Sequence, residues 1–192
     1  MAATVLYMSM SLDGFIAGPN ETLENGLGDG GLRLHEWCLG DDVGDVNREV
    51  FAESMATGAV VAGRGTAEPT GYWGGDNHNG VPMFILTRRQ DDSAIRQWPL
   101  VHHVTDVQTA KEAAGDANVL VHGAGVAQLA LAAGVLDELE LHVIPVLFGQ
   151  GRRLFDNLAA TQIDLECTRV LRGEDGVTHM HYRVRRKRPG TT

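Results

Sequence analysis

Apolar residues fall in short clusters along the chain, separated by glycine-rich or polar stretches, a spacing that predicts strands alternating with short helices. Residues 5–10 form an apolar run that stops at Ser11-Leu12-Asp13-Gly14, a strand followed by a turn signal. Residues 59–62, 83–87, 100–104 and 118–122 read as further short strands, those at 59–62 and 118–122 apolar enough to be buried. Between them, residues 45–56 place Val46, Val50 and Met55 on one helical face, with Asp45 as a capping residue and Gly58 as the stop. Helices are also predicted over 107–114 and 126–133, the second closed by Gly134. Leu139, Leu141 and Val143 alternate with Glu140 and His142, predicting a strand that continues through Pro145 to about residue 148. The last strands, 163–171 and 177–184, are joined by Gly173-Glu174-Asp175-Gly176, a hairpin signal.

Alternating strands and helices followed by a hairpin predict a single α/β domain over 1–185 and a basic tail over 186–192. The expected architecture is a three-layer sandwich with a mostly parallel central sheet and an antiparallel C-terminal hairpin. Two stretches interrupt the alternation. Residues 18–44 contain Gly26, Gly28, Gly30, Gly31 and Gly40, too punctuated for a helix, and loops of that length are usually functional or disordered. Trp37 lies inside it and is costly to leave in water, so part of the loop is expected to pack. A second glycine-rich loop spans 71–80.

Length and charge narrow the functions. A chain of 192 residues suffices for one ordinary core, and a net charge of −9 argues against nucleic acid as a partner. The exception is the terminal run Arg183, Arg185, Arg186, Lys187 and Arg188, read as a strand end running into a solvated terminus. Its competing reading as a nucleic-acid contact predicts steep salt dependence. No apolar run approaches the ~20 residues that cross a bilayer, so no membrane partner is expected. The start reads as a strand, not a signal peptide, which makes the cytoplasm the default location. Cys38 and Cys167 form no C-x-x-C pair; reduced thiols are favoured over a disulfide, which the spacing leaves open.

Two strand-to-glycine-to-helix junctions carry the strongest local chemistry. A helix start offers unpaired N–H groups and a positive dipole end, and glycine lets a phosphate approach the backbone. Gly123-Ala124-Gly125-Val126 fits that description, although a tight turn demands glycine for geometric reasons alone. Gln128 stands at the third glycine position of a Rossmann fingerprint, and no Gly-Lys-Ser/Thr loop occurs. Gly63-Arg64-Gly65-Thr66 adds a guanidinium, which makes forked bonds to phosphate, and Arg88 and Arg89 follow the strand at 83–87. Ligands in open α/β sheets bind outside the carboxyl ends of the strands, where these loops should meet around an elongated polyanion.

With these motifs in view, the chain resembles the reductase domain of riboflavin biosynthesis and its dihydrofolate reductase-like relatives. The similarity lies in Ser11-Leu12-Asp13-Gly14-Phe15-Ile16-Ala17, in Val61-Ala62-Gly63-Arg64-Gly65-Thr66 and in His122-Gly123-Ala124-Gly125. It continues in Val135-Leu136-Asp137-Glu138-Leu139, in Ile144-Pro145-Val146-Leu147-Phe148-Gly149-Gln150-Gly151 and in Leu154-Phe155, in family order. The resemblance implies a dihydrofolate reductase-like fold and NADPH as hydride donor. It assigns the cofactor's phosphates to Arg64 and Thr66 in the Gly63 loop, its adenosine end to Thr87 and Arg88, and its pyrophosphate to Gly123, Gly125 and Val126. Ile16 and Ala17 would lie beside the nicotinamide. Two departures stand out. Asn47 falls where dihydrofolate reductases carry a carboxylate on the first helix, with Phe51 one turn later at a substrate-packing position, which argues against folate reduction. The chain also lacks the H-x-E and P-C-x-x-C signature of the zinc deaminase that accompanies bifunctional riboflavin enzymes.

Reducing a carbonyl or imine also needs a proton. Asp13 at a strand end and His122 at another are the expected carriers, each with a structural alternative as a turn residue or a hydrogen-bonded strand-end histidine. Trp37, Trp73 and Tyr72 are expected either to wall a ring- or sugar-shaped pocket or to anchor loops. His179 and His181 share a strand face, but Met180, Tyr182 and Val184 mark the opposite face as the core side. Both histidines are therefore expected to face solvent, and no metal site is expected. The expected function is NADPH-dependent hydride transfer to a small carbonyl, imine or pterin-like substrate, the ribosylamino-pyrimidine of riboflavin synthesis among the candidates. The alternative is a nucleotide-binding protein of the same fold without turnover. A homodimer is expected through the strand at 139–148 and the terminal hairpin.

Overall fold

The structure is a computed structural model that describes residues 2–40, 43–89, 93, 95–158 and 162–185; the basic tail over 186–192 lies outside the described residues. An eight-stranded sheet forms the middle layer. Its strands in chain order are β1 (Thr4–Ser11), β3 (Ala59–Gly63), β4 (Met83–Leu86), β5 (Val101–Val104), β6 (Val119–His122), β7 (Glu138–Ile144), β9 (Leu165–Arg172) and β10 (Thr178–Val184). Their spatial order is β5-β4-β3-β6-β1-β7-β10-β9. Every pairing from β5 to β7 is parallel, and β10 and β9 close the sheet as an antiparallel hairpin. The short strands β2 (Phe15–Ala17) and β8 (Arg152–Arg153) pair separately beside the main sheet.

Strand alternation builds a core on each face. Leu6, Val61, Val121 and Leu139 project into one core, where α4 (Gln108–Ala114) and α5 (Ala124–Ala132) supply Ala110, Val126, Ala127 and Ala130. Val5, Tyr7, Val60 and Leu120 project into the other, against Val50 of α2 (Asp45–Met55) and Trp37 of the one-turn helix α1 (Glu36–Leu39). This two-sided burial explains why the central strands read as unbroken apolar runs. The helices described are all too short to cross a membrane.

Several local expectations change. The helix at 126–133 begins at Ala124, which puts Gly125 inside its first turn. The loop at 18–44 contains a 3-10 turn (Gly31–Leu34) and α1, because Leu34 and Trp37 are buried and the backbone between them coils to bring both onto the sheet. Asp45 does not cap α2; it pairs with Arg48. The cap comes from the hairpin turn, where the Glu174 carboxylate accepts the N–H groups of Val46 and Asn47, each at 3.3 Å. The strand predicted over 139–148 stops at Ile144. Pro145 has no N–H, and the chain folds back so that Val146 N–H bonds the Ile144 carbonyl at 2.8 Å. β7 is also interior, held between β1 and β10, so it cannot pair across a two-fold axis; the outer strand there is β9. Finally, His179 is 3% exposed and not solvent-facing, because α2 covers the face of β10 opposite Tyr182.

Candidate active site

The carboxyl ends of β1, β3 and β6 lie side by side, and beyond them opens a cavity of about 900 Å³. Its walls are the loop at 21–30, one side of α2, the 70–78 segment and the starts of the helices that follow β3 and β6.

The two glycine junctions meet here. Gly123 has φ +91°, a conformation that favours glycine, and a Cβ on it would overlap the Thr66 hydroxyl oxygen. Gly63 stands against Val126, where a Cβ would approach its methyl group to 3.3 Å. Thr66 and Gly123 are on the cavity wall, while Gly125 is exposed, with open space where a Cβ would point. Arg64, on the one-turn helix α3 (Arg64–Ala67), is paired with Glu68 one turn on and is not on the wall. Thr87 bonds Arg89 N–H at 3.1 Å and Arg88 is exposed; neither lines the cavity. Ile16 and Ala17 do line it, as do Trp37, Trp73 and Phe51. Tyr72 instead packs on Trp98, ring centroids 5.1 Å apart.

Asp13 is turned away from the cavity. Its carboxylate accepts the Ser11 hydroxyl at 2.6 Å and the N–H groups of Phe148 and Gly149 at 3.1 and 2.8 Å. These bonds, the Ser11 hydroxyl first, hold its pKa down to about 2. An ionised, fully engaged carboxylate ties the loop after β7 to the end of β1 and is not set up to carry a proton.

His122 is on the wall, and its role differs from the expected acid. Its Nδ1 lies 3.2 Å from the Tyr7 carbonyl. A carbonyl only accepts, so Nδ1 carries the hydrogen and Nε2 the lone pair. Nε2 is buried without a protein partner. Burial first, then neighbouring His78, pushes the pKa down to about 3, so the ring is a neutral hydrogen-bond acceptor near pH 7.

Asn47, expected at a substrate position, is 1% exposed and not on the wall. Its Oδ1 lies 2.9 Å from Nε2 of His179, whose Nδ1 lies 2.8 Å from Nδ1 of His142. Trp37 packs on His142, ring centroids 4.4 Å apart, and its indole N–H bonds Ser9 at 2.8 Å, so it anchors the loop as well as lining the cavity. No metal-binding group of histidine, cysteine and carboxylate occurs among the described residues.

Polar wall residues that were not singled out from sequence include Arg152, Glu21, His35 and His78. Arg152 lies on β8 opposite Ala17 and is paired with Glu21. The available signal was Gly149-Gln150-Gly151, since a Cβ at Gly151 would overlap the Ala17 carbonyl.

A mostly parallel sheet ending in an antiparallel hairpin, with a cavity at the carboxyl strand ends, defines a dihydrofolate reductase-like α/β domain. The chain belongs to the RibD C-terminal domain family, whose sequence profile matches residues 3–179. A putative riboflavin biosynthesis protein from Shewanella sp. PV-4 superposes with a TM-score of 0.73 at 22% identity, over 96% of this chain and 99% of that one. Dihydrofolate reductase from Enterococcus faecalis, solved with NADP(H), gives 0.61 at 18% identity over 95% and 96% of the two chains. RibD from Acinetobacter baumannii gives 0.64 at 17% identity, over 97% of this chain but 59% of that one. No curated protein sequence matches.

Proposed function

We propose that the chain is an NADPH-dependent reductase that transfers a hydride to a small carbonyl, imine or pterin-like substrate. The observation that carries this reading is the contact between Gly123 and Thr66, which brings two strand-to-helix junctions together on the wall of a cavity that Trp37, Phe51 and Trp73 also line. The residues present fit such a cofactor. Gly125 leaves its helix turn open for phosphate oxygens, and the Gly125 and Val126 amides at the start of α5 would meet a pyrophosphate, joined by the Gly123 amide once it gives up its bond to Met8 Sδ at 3.2 Å. Thr66, with Arg64 released from Glu68, would hold further phosphate oxygens; Ile16 and Ala17 would shield the nicotinamide from water. Bound NADPH would supply the hydride. Trp37, Trp73 and Phe51 would flank the substrate ring, and His122 would orient it by accepting a hydrogen bond.

Binding without turnover is the second reading, favoured by the engaged Asp13 carboxylate and the neutral His122. One titration of NADPH and NADH, followed by nicotinamide fluorescence and repeated with Arg64→Ala, tests the cofactor. Tight NADPH binding that weakens towards the NADH value in the variant is expected; no binding at saturating NADPH overturns the reductase reading. Consumption of NADPH with carbonyl and imine substrates then separates turnover from binding alone.

A further inference from the structure

Arg152 and Arg153 are consecutive on β8, and strand alternation sends their side chains to opposite sides. Arg153 is not on the cavity wall; it donates to the Asp13 carbonyl at 2.9 Å, and its guanidinium lies 4.3 Å from the centre of the Phe15 ring. Arg152, held opposite Ala17, is the single guanidinium among the described wall residues. Its Nε donates to one Glu21 carboxylate oxygen at 3.1 Å, and its Nη2 pairs with the other. The same guanidinium reaches the turn after β3, where a Cβ on Gly65 would stand 3.2 Å from Nη1. Thr66, the next residue, is the one that meets Gly123. The charged end of Arg152 therefore stands beside the place where the two glycine junctions come together.

Glu21 holds the position of a competing anion. A guanidinium fork fits two oxygens of a carboxylate or two of a phosphate. The pair is half open to the cavity, with the Arg152 side chain 45% exposed, and ion pairs so placed contribute little stability, so exchanging one partner costs little. Nor does the loop depend on the pair. Gly18 N–H bonds the Leu27 carbonyl at 2.8 Å, Asp29 N–H bonds the Pro19 carbonyl at 2.8 Å, and Thr22 N–H bonds the Asn25 carbonyl at 3.1 Å. The Asp29 carboxylate is itself engaged by the Asn20 and Asn25 amides. Glu21 can release Arg152 while those bonds keep the loop folded.

We infer that Glu21 is a built-in competitor for the cofactor's pyrophosphate, and that Arg152 exchanges the Glu21 carboxylate for pyrophosphate oxygens when the cofactor binds. The inference rests on the reductase reading, which supplies the pyrophosphate. It makes Arg152 a binding residue for the part that NADPH and NADH share. Arg64 differs: it is off the wall and paired with Glu68, and its replacement is expected to act on the gap between the two cofactors.

The test is a set of titrations of the cofactor-free protein, with NADPH and NADH followed by nicotinamide fluorescence and inorganic pyrophosphate by calorimetry. Arg152→Met keeps an unbranched stem and removes the fork; it is expected to weaken NADPH and NADH alike, by about ten-fold. Arg152→Lys keeps the charge without the fork and should recover part of the loss. Glu21→Gln is expected to tighten NADPH, NADH and pyrophosphate by about five-fold, a gain that misfolding cannot produce. In the Arg152→Met background the same substitution should change NADPH affinity by less than roughly two-fold. Unchanged NADPH affinity in Arg152→Met overturns the inference, as does a loss confined to NADPH, which would place Arg152 at a phosphate that NADH lacks. Equal tightening by Glu21→Gln with and without Arg152 also overturns it, because removing a repelling charge would then suffice. Pyrophosphate binding that follows Arg152 and Glu21 in a protein that binds no NADPH would sink the reductase reading and leave the exchange standing. Absence of both NADPH and pyrophosphate binding at ~1 mM overturns the two together.

Discussion

The buried pair His142 and His179 makes a quantitative prediction about acid stability. With 2.8 Å between their Nδ1 atoms there is room for one hydrogen, donated by one ring and accepted by the other. Either orientation of the Asn47 amide preserves that count. Burial first, with Arg169 adding to it and Glu174 opposing, lowers the pKa of His179 to about 4; burial and then His179 push His142 well below its usual range. An unfolded histidine titrates at 6.5, so between pH 6.5 and about 4 the unfolded chain binds a proton that the folded chain refuses. The stability involved is complete above pH 6.5 and is lost as the pH falls through that window. From pH 7 to pH 5, His179 alone should cost about 2 kcal/mol. Glu140 runs the other way. Burial and Glu53 raise its pKa to about 7, so its contribution grows as the pH falls and offsets the loss in part. Comparison with His179→Gln isolates the histidine. Losing the bonds to Asn47 and His142 destabilises the variant by about 1–3 kcal/mol at pH 7, and that gap should narrow by about 2 kcal/mol at pH 5. Urea unfolding at pH 7, 6 and 5, followed by tryptophan fluorescence and circular dichroism, measures both. Parallel pH profiles for the two proteins would mean that the folded pair accepts a proton near pH 6.5, refuting the one-hydrogen argument.

Further predictions concern glycines, charge and assembly. Gly125→Ala should leave folding unchanged or stabilise it by up to ~1 kcal/mol, because the site is open and helical, yet weaken NADPH binding. Gly123→Ala should lower the melting temperature, since its Cβ meets Thr66 at a positive φ; equal melting of the two variants would contradict the packing at the junction. Glu140→Gln should exceed the native protein in stability by about 1–2 kcal/mol at pH 8, after allowance for partial exposure, and the gap should close towards pH 4.5. Pairing through the β9 edge, which carries exposed Leu165 and Val170, predicts a homodimer by light scattering that Val170→Lys converts to a monomer. A native protein monomeric at ~50 μM would remove that idea.

The division between what sequence determined and what tertiary structure decided follows the range of the interactions. The unbroken apolar run at 59–62, the helical face of Val50 and the turn at 173–176 are local, and each became the predicted element. Both glycine junctions were legible for the same reason, since a strand feeding a helix through glycine is a property of a few adjacent residues. Sidedness at the sheet's end was not local: His179 was assigned to solvent because Met180 and Tyr182 look like a core face, but α2 covers the other face of β10 and supplies Asn47 from 132 positions away. Capping of α2 by Glu174, 128 residues beyond Val46, is equally invisible to a local pattern. The chemistry of the two expected proton carriers was likewise decided by contacts. Asp13 is tied up by amides 135 and 136 positions along the chain, and the Tyr7 carbonyl, 115 positions away, sets the tautomer of His122. Residue type marks which groups can titrate, while burial and partners brought in by the fold determine the charge each one carries.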